Sequence, residues 1–316
     1  MSSPPSQQTE GIARSSIWYD DGSVVLQAEN TQFRLHWGVL AQHSSFFRDI
    51  KGLPQPPDQP TVEGCPVVEL QDATGDVEYL LKALYSPTFL AESALPFWAV
   101  AALIRLGRKY DFREVLDKTV ERVTFENPAT LEQYDACRSR EGVYATRRIV
   151  PHPGILYDML TMARENNLLS VLPCAYLRAT MTGSEAVWFH GIPRGDGTTA
   201  LLEPIDLQKC VSGRHNLLQH QWNHGNTLEW LKTSQYDDCT NPQWCGTWRH
   251  GRLGEIATAG LLGAFWLPSL WANAVGLCER CRHRAQESMA SGRKKMWDEL
   301  PSFFTLPAWS ELKNDL

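Results

Sequence analysis

Residues 21–50 read DGSVVLQAENTQFRLHWGVLAQHSSFFRDI, and this pattern decides the fold of the N-terminal part of the chain. Over residues 23–28, Val24, Leu26 and Ala28 fall on one face; over residues 31–36, Phe33 and Leu35 do the same. Alternation with period two is what a half-buried strand requires. Glu29 and Asn30 lie between the two runs, and Asn tolerates the left-handed conformation of a tight turn, so a β-hairpin is predicted. Residues 37–42 then read as a short helix. Ser44 is a good N-cap for a second one carrying Phe46 and Phe47, because its hydroxyl can accept from an otherwise orphaned first-turn N–H.

Further along, a Pro-rich loop at residues 52–60 precedes a third apolar strand at residues 67–70. Val77, Leu80, Leu81 and Leu84 follow at helical spacing, with Asp76 and Glu78 in the first turn and Pro87 beyond the end. Pro96 suits the first position of another helix, which buries Phe97, Val100, Ala101 and Ile104 and stops near Gly107. A last helix carries Phe112, Val115, Leu116, Val120 and Val123. The order of hairpin, helix pair, strand and helices predicts an α+β domain, a small sheet with a helical cluster.

The opening stretch resembles the start of the BTB/POZ family. It presents an acidic residue (Asp21), a hairpin with a Phe on its second strand (Phe33), a His (His36) and a Leu-Ala-x-x-Ser-x-x-Phe run through Leu40, Ala41, Ser44 and Phe47. VVELQDATGDVEYLLKALYSPTF (67–89) is similar to the family's third strand and following helix, through Leu84 and Tyr85. ALIRLGRKYDFREVL (102–116) is similar to its late helix pair, through Lys109, Tyr110 and Phe112. The matches run in order over residues 17–126, and the stretch at residues 63–70 looks most like the fungal type. The resemblance implies a protein–protein interaction domain without catalysis.

What the resemblance does not carry is equally specific. Repressor-type members hold an Asp and a basic residue in a charged pocket, where this chain has Ser23 and Trp37. Cullin-binding members carry a hydrophobic-x-Glu motif after the second helix, where this chain reads Ile50, Lys51 and Gly52, so recruitment of a cullin-type ligase has no support from motif. Family dimers use an N-terminal helix and strand. The polar segment before Ile17 offers neither clearly, which leaves monomer and homodimer both open.

The remainder, residues 127–316, reads as a mostly α-helical domain. One helix is marked by Leu156, Met159, Leu160 and Ala163. A second is marked by Leu172, Ala175, Tyr176 and Ala179, with Ser170 as its N-cap. A third opens at Pro204 and runs through Leu207, Cys210, Val211, Leu218 and Trp222. Residues 191–197 (GIPRGDG) lack the Gly-Lys-Ser/Thr ending of a phosphate loop and read as a surface turn. Residues 256–277 carry no charge and are long enough to cross a bilayer. Pro268, Ser269, Asn273 and the glycines dilute that stretch, and two packed core helices bent at Pro268 are predicted instead.

Composition bounds the rest. A length of 316 residues leaves room for roughly two domains. A net charge of −6 argues against a nucleic-acid footprint and no membrane span is expected. Residues 1–16 contain no apolar h-region and read as a disordered tail. Eight cysteines without a secretory signal point to reduced thiols or metal ligands, hence to cytoplasm or nucleus. Most of the twelve tryptophans fall after residue 220, which suggests aromatic anchors in a C-terminal core or at an interface.

The best chemical signal is Cys239-x5-Cys245 followed by Cys278-x2-Cys281. Tetrahedral zinc needs four soft donors, and a Cys-x2-Cys at a helix start supplies two from one turn. Asp237, Asp238, Asn241 and Pro242 flank the first pair with turn formers. All four positions would be closed by protein, so the zinc would be structural, with His283 or His250 able to replace one thiol. The alternative is four unrelated reduced thiols, since Cys is often simply buried.

Other constellations are weaker. His220-x3-His224 has the spacing of a metalloprotease pair but Gln221 in place of the catalytic Glu. His36 reads as a structural hydrogen-bonding residue, and Cys65, Cys137, Cys174 and Cys210 as core thiols. No nucleophile elbow or triad is present. The leading expectation is therefore an interaction adaptor that binds a protein partner. The rival is a nuclear transcription-associated regulator whose zinc-containing C-terminal module contacts nucleic acid through Arg280, Arg282, Arg284, Arg293, Lys294 and Lys295.

Overall fold

The computed structural model describes residues 11–54, 58–138, 144–181, 185–233, 236–271 and 274–316. Of the expected segments, residues 1–10 of the tail, residues 55–57 of the Pro-rich loop and Asn273 lie outside these. The chain divides into two compact units. The first runs to Val123 and includes Arg147–Val150; the second comprises Thr124–Thr146 and Pro151–Asp315.

In the first unit, β1 (Ala13–Trp18), β2 (Val24–Ala28) and β3 (Thr31–Leu35) lead into α1 (Trp37–His43) and α2 (Ser45–Gly52). There follow β4 (Thr61–Val62), β5 (Cys65–Leu70), α3 (Thr74–Tyr85), α4 (Phe97–Lys109) and α5 (Arg113–Glu126). The sheet order is β1-β3-β2-β5-β4. The hairpin β2–β3 pairs antiparallel with Val24 opposite Leu35 and Leu26 opposite Phe33, the register that puts the predicted apolar set on one face. Its turn differs in one respect: Glu29, rather than Asn30, takes the left-handed conformation at φ 50°.

The strand β1 is a correction to the expected tail, since it begins at Ala13, ahead of Ile17. It pairs parallel with β3 at the edge of the sheet. An edge strand needs only one row of backbone bonds, so its polar ARSSIW sequence shows little hydrophobic patterning. Strand β2 departs from simple alternation for the opposite reason. It is central, and Val25 on its other face is buried beside Cys65 and Val67, with Trp18 and Val62 packed over them.

Helix α4 is apolar nearly all round, burying Ala99, Ala102, Leu103 and Leu106 as well as the four residues predicted. Such a helix belongs in the middle of a core. Ser44 caps α2 by accepting from the Phe47 N–H at 3.1 Å, and its own hydroxyl donates to the Tyr110 carbonyl at 2.5 Å. One serine therefore ties the helix pair to the chain after α4. Arg122 on α5 makes a second tie, donating to the carbonyls of Leu90, Glu92, Ser93 and Arg148 at 2.7–3.3 Å.

The second unit contains α6 (Leu131–Ala136), α7 (Ile155–Glu165), α8 (Leu172–Met181), α9 (Glu185–His190), the hairpin β6 (Ile192–Pro193) and β7 (Thr199–Ala200), and α10 (Pro204–His220). Then come α11 (Pro242–Thr258), α12 (Glu279–Asp298) and α13 (Leu300–Phe303). Asp206, fully buried on α10, accepts from Arg164 on α7 at 2.9 Å and from the Tyr176 hydroxyl on α8 at 2.7 Å, which locks three helices together. An indole stack of Trp297 on Trp309, with Tyr134 and Phe265 against Trp297, fills the core beside α12.

Two local expectations are overturned here. Ser170 does not cap α8: a 3-10 turn at Leu169–Val171 runs straight into it, and the Ser170 N–H and hydroxyl both donate to the Asn314 side chain at 3.0 Å. Residues 256–277 do not form two bent core helices. Helix α11 ends at Thr258, Gly260 turns with φ +59°, and the only helical turn in the described remainder is the 3-10 stretch Pro268–Trp271. Gly276 packs directly against Trp248, where a Cβ would stand 1.7 Å from the ring. Among the described residues no helix is long and apolar enough to cross a membrane.

Candidate metal centre and interaction platform

The four predicted cysteines come together. Their sulfur atoms all lie within 4.8 Å of one another. A tetrahedron with Zn–S bonds of about 2.3 Å has S–S edges of about 3.8 Å. Cys239 and Cys278 are 3.9 Å apart, and Cys239 and Cys281 are 3.4 Å apart. The donor set and spacing therefore fit a zinc-sized soft cation.

Local sequence builds this cluster from two helix starts and one turn. Asn241 caps α11 by accepting from the Trp244 N–H, and Pro242 occupies its first turn, which brings Cys245 to the helix start. Cys278 is the N-cap of α12, and Cys281 sits in its first turn. Cys239 closes the remaining side, its N–H bonded to the Tyr236 carbonyl at 3.1 Å. Helix N-termini favour thiolate over thiol. The Cys278 N–H also donates to the Cys245 sulfur at 3.2 Å.

The electrostatics are those of a thiol group too crowded to ionise together. Burial pushes Cys245 and Cys281 up, and neighbouring sulfurs push Cys281 further. Burial also opposes ionisation of Cys278, but hydrogen bonds from Thr240 and the Cys281 backbone outweigh it and bring Cys278 down to about 5. A bound dication relieves the repulsion that additional thiolates would suffer.

The surrounding shell was not legible in the sequence. Arg249 is buried, lies 3.9 Å from the Cys281 sulfur and stacks over Tyr236 at 4.9 Å. Arg284 sits over the same ring at 5.1 Å and pairs with Asp238 at 3.0 Å, while Arg280 donates to the Asp238 carbonyl at 3.2 Å. These arginines hold the Cys239 turn against both helices. Beneath lie Leu228, Trp230, Leu231, Ile256, Leu277, Ala285 and Met289. Among the tryptophans after residue 220, Trp230 is buried, Trp222 and Trp248 pack partly buried against this cluster, and Trp244 is exposed.

Other candidates stay outside the centre. His283 is exposed and pairs with Glu287 at 3.3 Å, and neither it nor His250 belongs to the sulfur cluster. His220 ends α10 edge-on to Phe303, whereas His224 lies in the following turn, 2.5 Å from Glu229; the two share no helix face. Residues 191–197 span β6 and the β6–β7 turn, in which Asp196 accepts from the Thr198 N–H at 2.9 Å. Cys65, Cys137, Cys174 and Cys210 are buried free thiols. Within the basic run, Arg284 and Arg280 bind Asp238, the buried Arg293 pairs with Asp135 at 2.5 Å, and Lys295 donates to the His224 carbonyl at 2.8 Å.

In the first unit, His36 is held as a structural residue. Its N–H donates to the Tyr85 hydroxyl at 3.0 Å and its ring meets Asp21 at 3.1 Å. Ser23 accepts from the Trp37 N–H at 3.1 Å, so the two positions of the family's charged pocket are joined by a bond that involves no charge. An open depression of about 370 Å³ at the ends of β2 and β5 is lined by Gln27, Glu29, Glu69 and Asp72. Two of its three carboxylates are engaged structurally, while Glu69 is exposed. Glu29 accepts from the Thr74 N–H, which holds its carboxyl below the usual range, and Asp72 pairs with Lys109 and the Tyr110 hydroxyl.

Residues 21–125 match the family model of the BTB/POZ domain. No curated protein and no solved structure matched the chain. With the hairpin, the Ser44 cap and the helical cluster in place, the N-terminal unit is a BTB/POZ domain, a protein-interaction module.

Proposed function

We propose that this chain is a protein–protein interaction adaptor with no catalytic chemistry of its own. Residues 17–126 recruit a protein partner, and residues 127–316 form a helical domain closed by a structural zinc on Cys239, Cys245, Cys278 and Cys281. The observation that carries the adaptor reading is the BTB/POZ domain itself. In its surface depression Glu29 accepts from the Thr74 N–H and Asp72 pairs with Lys109, so both carboxylates serve to hold the fold. The sequence at residues 63–70 supports the fungal type, and α2 ends at Gly52 without the cullin motif. The zinc reading rests on four sulfurs within bonding reach of one centre. Its role is to join the starts of α11 and α12 to the Cys239 turn. Nucleic-acid contact through the basic run finds less support, because Arg280, Arg284, Arg293 and Lys295 are engaged within the unit.

Affinity capture tests the adaptor reading, comparing the full chain with one lacking residues 17–126 whose remaining fold is checked by zinc content and thermal melting. Partners lost on deletion support it; identical partner sets overturn it.

A further inference from the structure

The four thiols of the cluster are not equally accessible. Cys239 and Cys278 are half-buried, whereas Cys245 and Cys281 are buried. The two accessible sulfurs are also neighbours, 3.9 Å apart, on elements far apart in sequence. A disulfide requires its sulfurs at about 2.05 Å, so closing this pair takes a shift of about 2 Å. Cys239 lies in a turn, where such a shift disturbs no helix ladder. By contrast, the buried free thiols Cys65, Cys137, Cys174 and Cys210 are absent from the cluster and lack this access.

We propose that this cluster is an oxidation site: a hydroperoxide converts Cys239 and Cys278 to a disulfide and expels the metal. The inference rests on the zinc reading above. In the first step one of these two half-buried thiolates attacks the terminal peroxide oxygen. An S–O bond forms, the O–O bond breaks, and hydroxide (alkoxide from an alkyl peroxide) leaves and takes a proton from solvent. The sulfur is oxidised by two electrons to a sulfenic acid and the peroxide is reduced. In the second step the other thiolate attacks that sulfur, the S–S bond forms, the S–O bond breaks, and the departing hydroxide is protonated to water. The metal loses two of four ligands and two negative charges. Cys245 and Cys281 alone do not retain it. Release unties α11 from α12 next to Trp230, Trp248 and Trp271, whose rings lie 5.5–6.4 Å apart by centroid and whose fluorescence reports the loosening.

The test uses the intact purified protein. Zinc content is measured first; protein that neither contains zinc nor takes it up in stoichiometric amount when reduced overturns the metal reading and this one with it. Zinc-loaded protein is then titrated with hydrogen peroxide while a zinc-binding dye, tryptophan emission and peptide mapping are followed. The expected result is one zinc released per disulfide, a Cys239–Cys278 linkage in the map, and recovery of zinc binding after reduction with dithiothreitol. Zinc retained while peroxide is consumed, or released with only sulfinic or sulfonic products, overturns the oxidation site and leaves the structural zinc standing.

Discussion

Replacing Cys281 with serine is the sharpest perturbation of the second unit. The residue is 1% exposed, and its sulfur is central to the cluster. A metal joining Cys245 to Cys278 closes a loop of 32 intervening residues. Treated as a cross-link of that length, it removes about 4 kcal/mol of chain entropy from the unfolded state. For a unit of this size each kcal/mol moves the melting midpoint by about 2–4 °C, so losing the metal lowers Tm by roughly 8–16 °C. Differential scanning calorimetry on wild type, Cys281→Ser and wild type with a strong chelator reads this directly. The chelated protein and the variant should melt together, well below the zinc-loaded protein. A variant melting within about 2 °C of wild type, with no response to chelator, refutes the cross-link argument.

Three further outcomes follow from the structure. Ser44→Ala removes both a helix cap and the donor to the buried Tyr110 carbonyl, and should destabilise the first unit by about 2 kcal/mol in urea unfolding. Arg122→Leu strands four carbonyls and should cost about 3 kcal/mol, visible as faster amide exchange around residues 90–93. Burial pushes Cys174 up to about 11 and Cys210 up to about 12. Both stay protonated near pH 8, so in the native protein iodoacetamide should label them at least about tenfold more slowly than in the denatured chain.

The N-terminal fold was legible because its signals are local. The alternation at residues 23–36 and the Ser44 cap each identify an element without reference to the rest of the chain. Strand β1 was not, since an edge strand held by backbone bonds imposes little pattern on its side chains. Arg122 was equally silent; its four acceptors are backbone carbonyls, which any residue supplies.

In the second unit the cysteine spacing pointed to the four thiols that come together, but not to the residues that support them. Helix α11 carries Gly246, Gly251 and Gly254, which blur its periodicity, and the buried Arg249 looks like any surface arginine until it is placed beside Cys281. The uncharged stretch at residues 256–277 misled for a related reason. Beyond Thr258 its described apolar residues pack around Trp248 and Trp230 from turns and a single 3-10 stretch.

Cross-linking mass spectrometry of the full chain bound to a captured partner addresses the adaptor role most directly. Cross-links from the partner should concentrate on residues 21–125 and should disappear when that surface is substituted without loss of fold. Cross-links confined to residues 127–316, with residues 21–125 as exposed to solvent in the complex as in the free chain, would contradict it.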